Sequence, residues 1–142
     1  MIVTPASNVT PQPLPWLSSF DVGDRRIDGE HRALIELAND LCAMAVLAPP
    51  PHLLRGAAHE LIAVVEAHFE SEEALFPLIH YPAQQVHVRE HLALLAELNA
   101  LLLADDLPDP SVAAATARLV LIEHILRHDL GIKTWVEAWQ GQ

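Results

Sequence analysis

The chain has 142 residues, of which 51% are hydrophobic and 19% charged, which suits one domain with one core and excludes a largely disordered chain. The formal net charge of −11, with only eight lysines and arginines, argues against binding to nucleic acid or to an anionic membrane, because both need clustered basic side chains. The single cysteine, Cys42, excludes an internal disulfide, and without a secretory signal or an apolar run of ~18 residues we expect a cytoplasmic protein.

The first predicted elements are an irregular arm and a helix. Four prolines within residues 1–27 predict an N-terminal arm without regular structure. Asp28 is the expected N-cap of the first helix. This helix should end near Ala48, because three prolines follow at 49–51.

Three further helices and a tail follow. A second helix is predicted over about 52–76 and a third over about 82–104, with Pro82 in its first turn. Asp109-Pro110 predicts the start of a fourth helix over about 111–130. We therefore expect three parts, which are an N-terminal arm (1–27), a helical bundle (28–130) and a short helical C-terminal tail (131–142).

The predicted helices carry apolar stripes with steps of three and four residues, which place each stripe on one helix face. The stripes are His31, Leu34, Ala38, Leu41 and Ala45; Leu54, Ala58, Leu61, Val65, His68, Glu72 and Leu75; and His87, His91, Leu94, Leu98 and Leu101. Short connections between helices of about twenty residues predict an all-α fold, an antiparallel up-down-up-down four-helix bundle. In each stripe the polar residues lie among the apolar ones.

These inward polar residues predict a metal centre. They are His68 with Glu72, His87 with His91, and, on the two outer helices, His31 and His124. One buried histidine is most often a hydrogen-bonded core residue. Burying this many costs several kcal/mol each unless something satisfies them all, and a metal centre on the bundle axis does so.

The ligand types restrict the metal. Five imidazoles and carboxylates, with no cysteine among them, exclude a thiolate zinc site and an iron–sulfur cluster. They are too many for one ion, whereas two ions that share bridging carboxylates use them all. Nitrogen and oxygen ligands suit iron, although manganese also accepts them.

Four segments make the chain resemble the hemerythrin family, in particular its single-domain bacterial members, the bacteriohemerythrins. They are WLSSFDVGDRRIDGEH (16–31), HFESEE (68–73), YPAQQVHVREH (81–91) and HILRHD (124–129). The resemblance implies a non-heme di-iron protein in which one iron is held by His87, His91 and His124. The other would be held by His31 and His68, which leaves it one open position. Glu72 and Asp129 would bridge the two ions (Fe2+/Fe3+), with an oxo or hydroxo group as the third bridge.

The resemblance also implies a function, the reversible binding of dioxygen for transport, storage or sensing, rather than catalysis. The open iron would face an apolar pocket of Leu34, Phe69, Val120 and Ile125, which keeps out water. Many bacterial members carry tryptophan where this chain has Val120, which predicts a roomier pocket and faster autoxidation. We expect neither a nucleic-acid partner nor membrane insertion, a monomer is favoured, and the sequence identifies no protein partner.

Asp129 is the one implied ligand that helical spacing does not favour. It follows His124 by five residues, about 140° around a regular helix, whereas His128 follows at the better step of four. A role for Asp129 therefore requires the helix to widen or to end at that point. His128 is the alternative that periodicity alone selects.

Other functions fit parts of the pattern. A di-iron enzyme that reduces peroxide or nitric oxide could use the same ligands. His87-x-x-Glu90-His91 matches the inverted zinc-protease motif but leaves the other histidines without a role. Ferritin-like di-iron enzymes use Glu-x-x-His pairs, which this sequence lacks. A structural bundle with packing histidines is a further alternative and would carry little iron.

The remaining histidines and glutamates are expected outside the centre. The histidines predicted to lie at the surface are His52, His59 and His80. Three glutamates are expected to face solvent or to support ligand histidines, namely Glu70, Glu73 and Glu90.

Overall fold

The computed structural model describes residues 12–106 and 109–142, which contain five α-helices and no strand. The helices are α1 (Arg25–Val46), α2 (Pro51–Leu78), α3 (Gln84–Leu102), α4 (Pro110–Arg127) and α5 (Lys133–Gln140). A 3-10 turn, Ser18–Phe20, precedes α1, and another, Asp129–Ile132, joins α4 to α5. Residues 1–11 of the predicted arm lie outside the described part. Among the described residues, no helix is both long and apolar enough to cross a membrane.

The first four helices form the predicted bundle. α1 packs against α2 and α4, α2 packs against α3, and α3 packs against α4. Short segments join consecutive helices, so chain neighbours run antiparallel. The prediction of an all-α four-helix bundle is confirmed.

The start of α1 differs from the prediction. Asp24, rather than Asp28, is the N-cap, and its side chain accepts a hydrogen bond from the backbone N–H of Ile27 at 3.0 Å. Asp28 lies in the first turn and accepts the backbone N–H groups of Val22 at 2.7 Å and Gly23 at 3.1 Å. Gly23 has a φ of 97°, which a residue without a Cβ adopts at little cost. The carboxylate of Asp28 therefore stabilises the turn before the helix.

Prolines and the other predicted cap act close to expectation. α2 continues through Pro77 to its last turn, where the missing N–H removes a single hydrogen bond near the helix end. α3 begins at Gln84, so Pro82 lies in the preceding turn rather than in the first helical turn. Asp109 caps α4 as predicted and accepts the backbone N–H of Ser111 at 3.0 Å.

Two apolar clusters fill the bundle at different heights. The larger one consists of Leu34, Ala38, Leu41, Cys42, Ala45, Ala58, Leu61, Ile62, Val65, Phe69, Leu94, Leu98, Leu102, Ala114, Ala117 and Leu121. The smaller one consists of Val22, Ile27, Leu75, Phe76, Ile79, Tyr81, Ile132 and Val136. The predicted stripes are buried except for Leu54 and Leu101, which are partly buried. The predicted tail contributes Val136 of α5 and closes the end of the bundle.

The inward polar residues lie between these two clusters. On α1, His31 follows Ile27 of the smaller cluster and precedes Leu34 of the larger one. On α2, Glu72 lies between Phe69 of the larger cluster and Leu75 of the smaller one, and His68 precedes Glu72 by one turn. The bundle therefore contains one polar layer with an apolar cluster on each side.

Candidate metal centre

The polar layer contains all seven residues that the sequence analysis proposed as ligands. Each of the seven side chains is at least nine-tenths buried, and none is more than 7% exposed. They are His31, His68, Glu72, His87, His91, His124 and Asp129. Buried polar groups at this density require partners, because each unpaired group costs free energy.

The ligand atoms of these residues form two overlapping groups, and within each group the atoms lie within 4.8 Å of one another. One group contains three histidines with both carboxylates, namely His87, His91, His124, Glu72 and Asp129. The other contains two histidines with the same carboxylates, namely His31, His68, Glu72 and Asp129. Sharing of both carboxylates is the arrangement that two bridged ions need.

Glu72 presents one oxygen to each group. Its Oε2 lies 3.2 Å from His68 Nε2 and 3.3 Å from His31 Nε2. Its Oε1 lies 2.9 Å from His91 Nε2 and 3.7 Å from His87 Nε2. The step of four residues along α2 places Glu72 one turn from His68, and α3 supplies the two histidines on its other side.

Asp129 divides its oxygens in the same way. Its Oδ2 lies 2.9 Å from His31 Nε2. Its Oδ1 lies 2.8 Å from His87 Nε2 and 3.1 Å from His124 Nε2. The two carboxylates therefore lie between the same two sets of imidazole nitrogens.

Asp129 reaches the centre because α4 ends before it. The helix stops at Arg127, and the 3-10 turn that begins at Asp129 carries this residue inward. His128, which regular spacing favoured, has a side chain that is 39% exposed, and its Nδ1 lies 3.0 Å from Oε2 of Glu90. The structure thus brings Asp129 to the centre and leaves His128 outside it.

The hydrogen-bond roles at this centre suit a bound cation. His91 Nδ1 donates to Glu73 at 2.9 Å, and a neutral imidazole carries only one N–H. Its Nε2 then directs a lone pair at an oxygen of Glu72, 2.9 Å away, and two acceptors this close need a proton or a metal ion between them. His68 Nε2, His124 Nε2 and Asp129 Oδ2 are fully buried and lack a well-directed hydrogen bond, as does Nδ1 of His31, the ring nitrogen that does not contact the two carboxylates. These atoms and the nitrogen and oxygen donor set fit a pair of metal ions.

Without metal, protons on the histidines balance part of the negative charge of the two carboxylates. Burial would lower the pKa of His31 and of His87, but contacts with Asp129 and Glu72 raise each pKa to about 9. Burial would raise the pKa of Glu72, but the surrounding histidines hold it well below its ordinary value. Burial and Glu72 act to raise the pKa of Asp129, but contacts with His124, His31 and His87 hold it below its ordinary value. Both carboxylates are therefore ionised at neutral pH, as metal ligands must be.

Sequence reasoning missed Glu30. This residue of α1 accepts a hydrogen bond from His68 Nδ1 at 2.8 Å. Its position next to His31 was a signal, but the contact depends on how α1 is rotated against α2, which periodicity does not give. Of the glutamates expected at the surface or behind ligands, Glu73 contacts His91 and Glu70 is exposed. The histidines predicted at the surface, His52, His59 and His80, are all exposed.

The four residues of the predicted apolar pocket lie in different surroundings. Leu34, Phe69 and Ile125 are buried, and the ring of Phe69 stacks on that of His91 with centroids 3.8 Å apart. Val120 is half-buried and lines a surface cleft of about 290 Å³ between α3 and α4. His124, the most exposed of the seven polar residues, lies in the same cleft.

Comparisons with known proteins identify a cation-binding family. The family model described as the hemerythrin HHE cation binding domain matches residues 22–136. The chain is 33% identical over 81 residues to proteins named "Hemerythrin-like protein" from Naegleria gruberi and Naegleria fowleri. The matched region is 57% of this chain and 62% of each relative, so it spans less than two thirds of their length. No solved structure matches the chain.

Proposed function

Because the chain belongs to the hemerythrin family and carries its cation-binding domain over residues 22–136, we propose that the polar layer holds two iron ions and binds dioxygen reversibly. One observation carries the proposal, which is that Glu72 and Asp129 each present one oxygen to each ligand group. The cofactor would be two ions (Fe2+/Fe3+) with a bridging oxo or hydroxo group. Together the two ions would transfer two electrons to dioxygen when it binds and would regain them when it is released.

The unequal ligand groups support a position for dioxygen. Three histidines and two carboxylates would hold one ion, whereas His31, His68 and the same two carboxylates would hold the other. The second ion would therefore have one protein ligand fewer, and the free position would accept a small molecule. We propose this position as the dioxygen site.

The residues around the centre would protect that position from water. Leu34 and Ile125 are 1% and 2% exposed, and Phe69 is 3% exposed. An apolar wall of this kind excludes water and protons, which would otherwise release reduced oxygen and leave the iron oxidised. We therefore propose Leu34, Phe69, Ile125 and Val120 as the dioxygen pocket. Val120 is its most accessible member and lines the cleft beside His124, which belongs to the other ligand group.

A second function is favoured by the cleft between α3 and α4. The cleft extends from solvent to His124, so an external reductant could approach within reach of a metal ligand. The same two ions could then reduce peroxide or nitric oxide catalytically. Consumption of peroxide or nitric oxide over many cycles, with a reductant in excess, would establish this enzyme function, and a single equivalent consumed would exclude it.

An optical experiment tests the main proposal. The iron-loaded protein is reduced without air, and its spectrum is recorded before exposure to air, after exposure, and again under vacuum. Charge-transfer bands that appear with air and disappear under vacuum are expected. His68→Ala should abolish the bands, whereas His59→Ala, an exposed histidine of the same helix, should keep them. An iron-loaded wild-type sample without these bands would overturn the proposal.

The proposal includes a cytoplasmic location and a monomer. Cys42 is buried and unpaired, which fits a reducing compartment. Sedimentation of the iron-loaded protein would measure the oligomeric state directly.

A further inference from the structure

In two of the five central histidines, the ring nitrogen that faces away from the centre contacts a further carboxylate. His68 Nδ1 lies 2.8 Å from Oε1 of Glu30, and His91 Nδ1 lies 2.9 Å from Oε2 of Glu73. Each carboxylate accepts the single N–H of a neutral imidazole and so leaves the Nε2 lone pair directed at the centre. One of these histidines belongs to each ligand group.

Glu30 is itself held in place from two helices. Its Oε2 accepts a hydrogen bond from Ser71 Oγ of α2 at 2.9 Å and one from Arg26 Nε of α1 at 3.2 Å. Its side chain is 26% exposed, although Arg26 is 78% exposed. Because its other oxygen contacts His68, the carboxylate has little freedom to leave the imidazole.

We propose that Glu30 and Glu73 are positioning residues that act on different ions. Glu30 orients His68 and raises the affinity for the ion held by His31 and His68. Glu73 orients His91 and raises the affinity for the ion held by the three other histidines. This inference rests on the proposed two-ion function. It adds that the affinity of each ion is set separately, by one carboxylate that does not touch the metal.

The two roles predict an asymmetry that packing alone does not produce. If a residue contributed only to packing, its removal would weaken the binding of both ions equally, because both ions share Glu72 and Asp129 as ligands. A residue that orients one imidazole should weaken only the ion bound by that imidazole. Loss of such a hydrogen-bond partner changes metal affinity about 10–100-fold.

Cobalt binding to the metal-free protein tests this asymmetry. Co2+ accepts nitrogen and oxygen ligands, and titration without air against a competing chelator measures each binding event. His31→Ala and His124→Ala assign the events, because each removes a ligand of one ion. Glu30→Ala should lower the Co2+ affinity of the binding event that His31→Ala removes by about 10–100-fold, and it should leave the affinity of the other event unchanged. Glu73→Ala should do the reverse.

Two further variants control the result. Glu30→Gln should regain most of the affinity, because its amide oxygen can accept the same N–H. Glu70→Ala removes an exposed glutamate of α2 and should change neither event. Suppose that the wild-type protein binds two Co2+ ions. If Glu30→Ala then binds both as tightly as Glu70→Ala does, or loses affinity equally for both, the positioning role of Glu30 is overturned while the proposed function stands. If wild-type protein fails to bind two ions, the proposed function falls and the inference falls with it.

Discussion

Removal of metal should make the stability of the protein depend strongly on pH. In the metal-free fold, contacts with Asp129 and Glu72 raise the pKa of His31 and of His87 from 6.5 to about 9. A raised pKa stabilises the fold fully below pH 6.5, and this stabilisation is lost as the pH rises through 9. A change of this size corresponds to about 3 kcal/mol for one histidine. Both histidines together should contribute less than twice that amount, because they share the same two carboxylates.

Urea unfolding of chelator-treated protein, followed by circular dichroism between pH 6 and pH 10, measures this loss. With a dependence of roughly 1–3 kcal/mol per molar urea, the midpoint should fall by about 1–3 M. Iron-loaded protein should not lose stability over this interval, because metal binds the deprotonated imidazoles. Asp129→Asn should flatten the metal-free curve. A metal-free midpoint that stays constant or rises between pH 6.5 and pH 9 would refute the reasoning.

Four substitutions, used in three experiments, test other parts of the structure. Val120→Trp should slow autoxidation of the oxygen-bound protein, because an indole would fill the cleft beside His124; an unchanged or faster rate contradicts this. Asp129→Ala should lower the iron content measured by metal analysis, while His128→Ala should keep two ions per chain; the opposite pattern would mean that helical spacing decides the ligand. Asp109→Ala should lower the free energy of unfolding by about 1 kcal/mol through loss of the α4 N-cap. An unchanged free energy would show that water serves the freed N–H groups equally well.

The residues that sequence located best are those related by one helical turn. A step of four places His68 beside Glu72, and His87 beside His91, whatever surrounds the helix. Asp129 is different, because its direction depends on the end of α4 at Arg127. The first sequence signal for that end is Gly131, which comes after Asp129. Only the resemblance to a family selected Asp129 over His128.

Contacts between helices were less predictable. Glu30 reaches His68 because α1 and α2 meet at one particular rotation, and a stripe of apolar residues tolerates several rotations. The N-cap of α1 posed a similar problem, since Asp24 and Asp28 are both suitable residues one turn apart. The structure uses one for the helix end and the other for the preceding turn. Their division of roles depends on the path of the chain through Gly23.

The polar layer between the two apolar clusters also limits how the four helices can slide along one another. A shift of α1 by one turn, about 5.4 Å, would move His31 away from Asp129 and Glu72 and into an apolar cluster. The imidazole and the carboxylates would then be buried without partners, at a cost of several kcal/mol. Leucines facing leucines impose no comparable cost, because one can replace another after such a shift. The centre should therefore select a single longitudinal register for the bundle, even before metal binds.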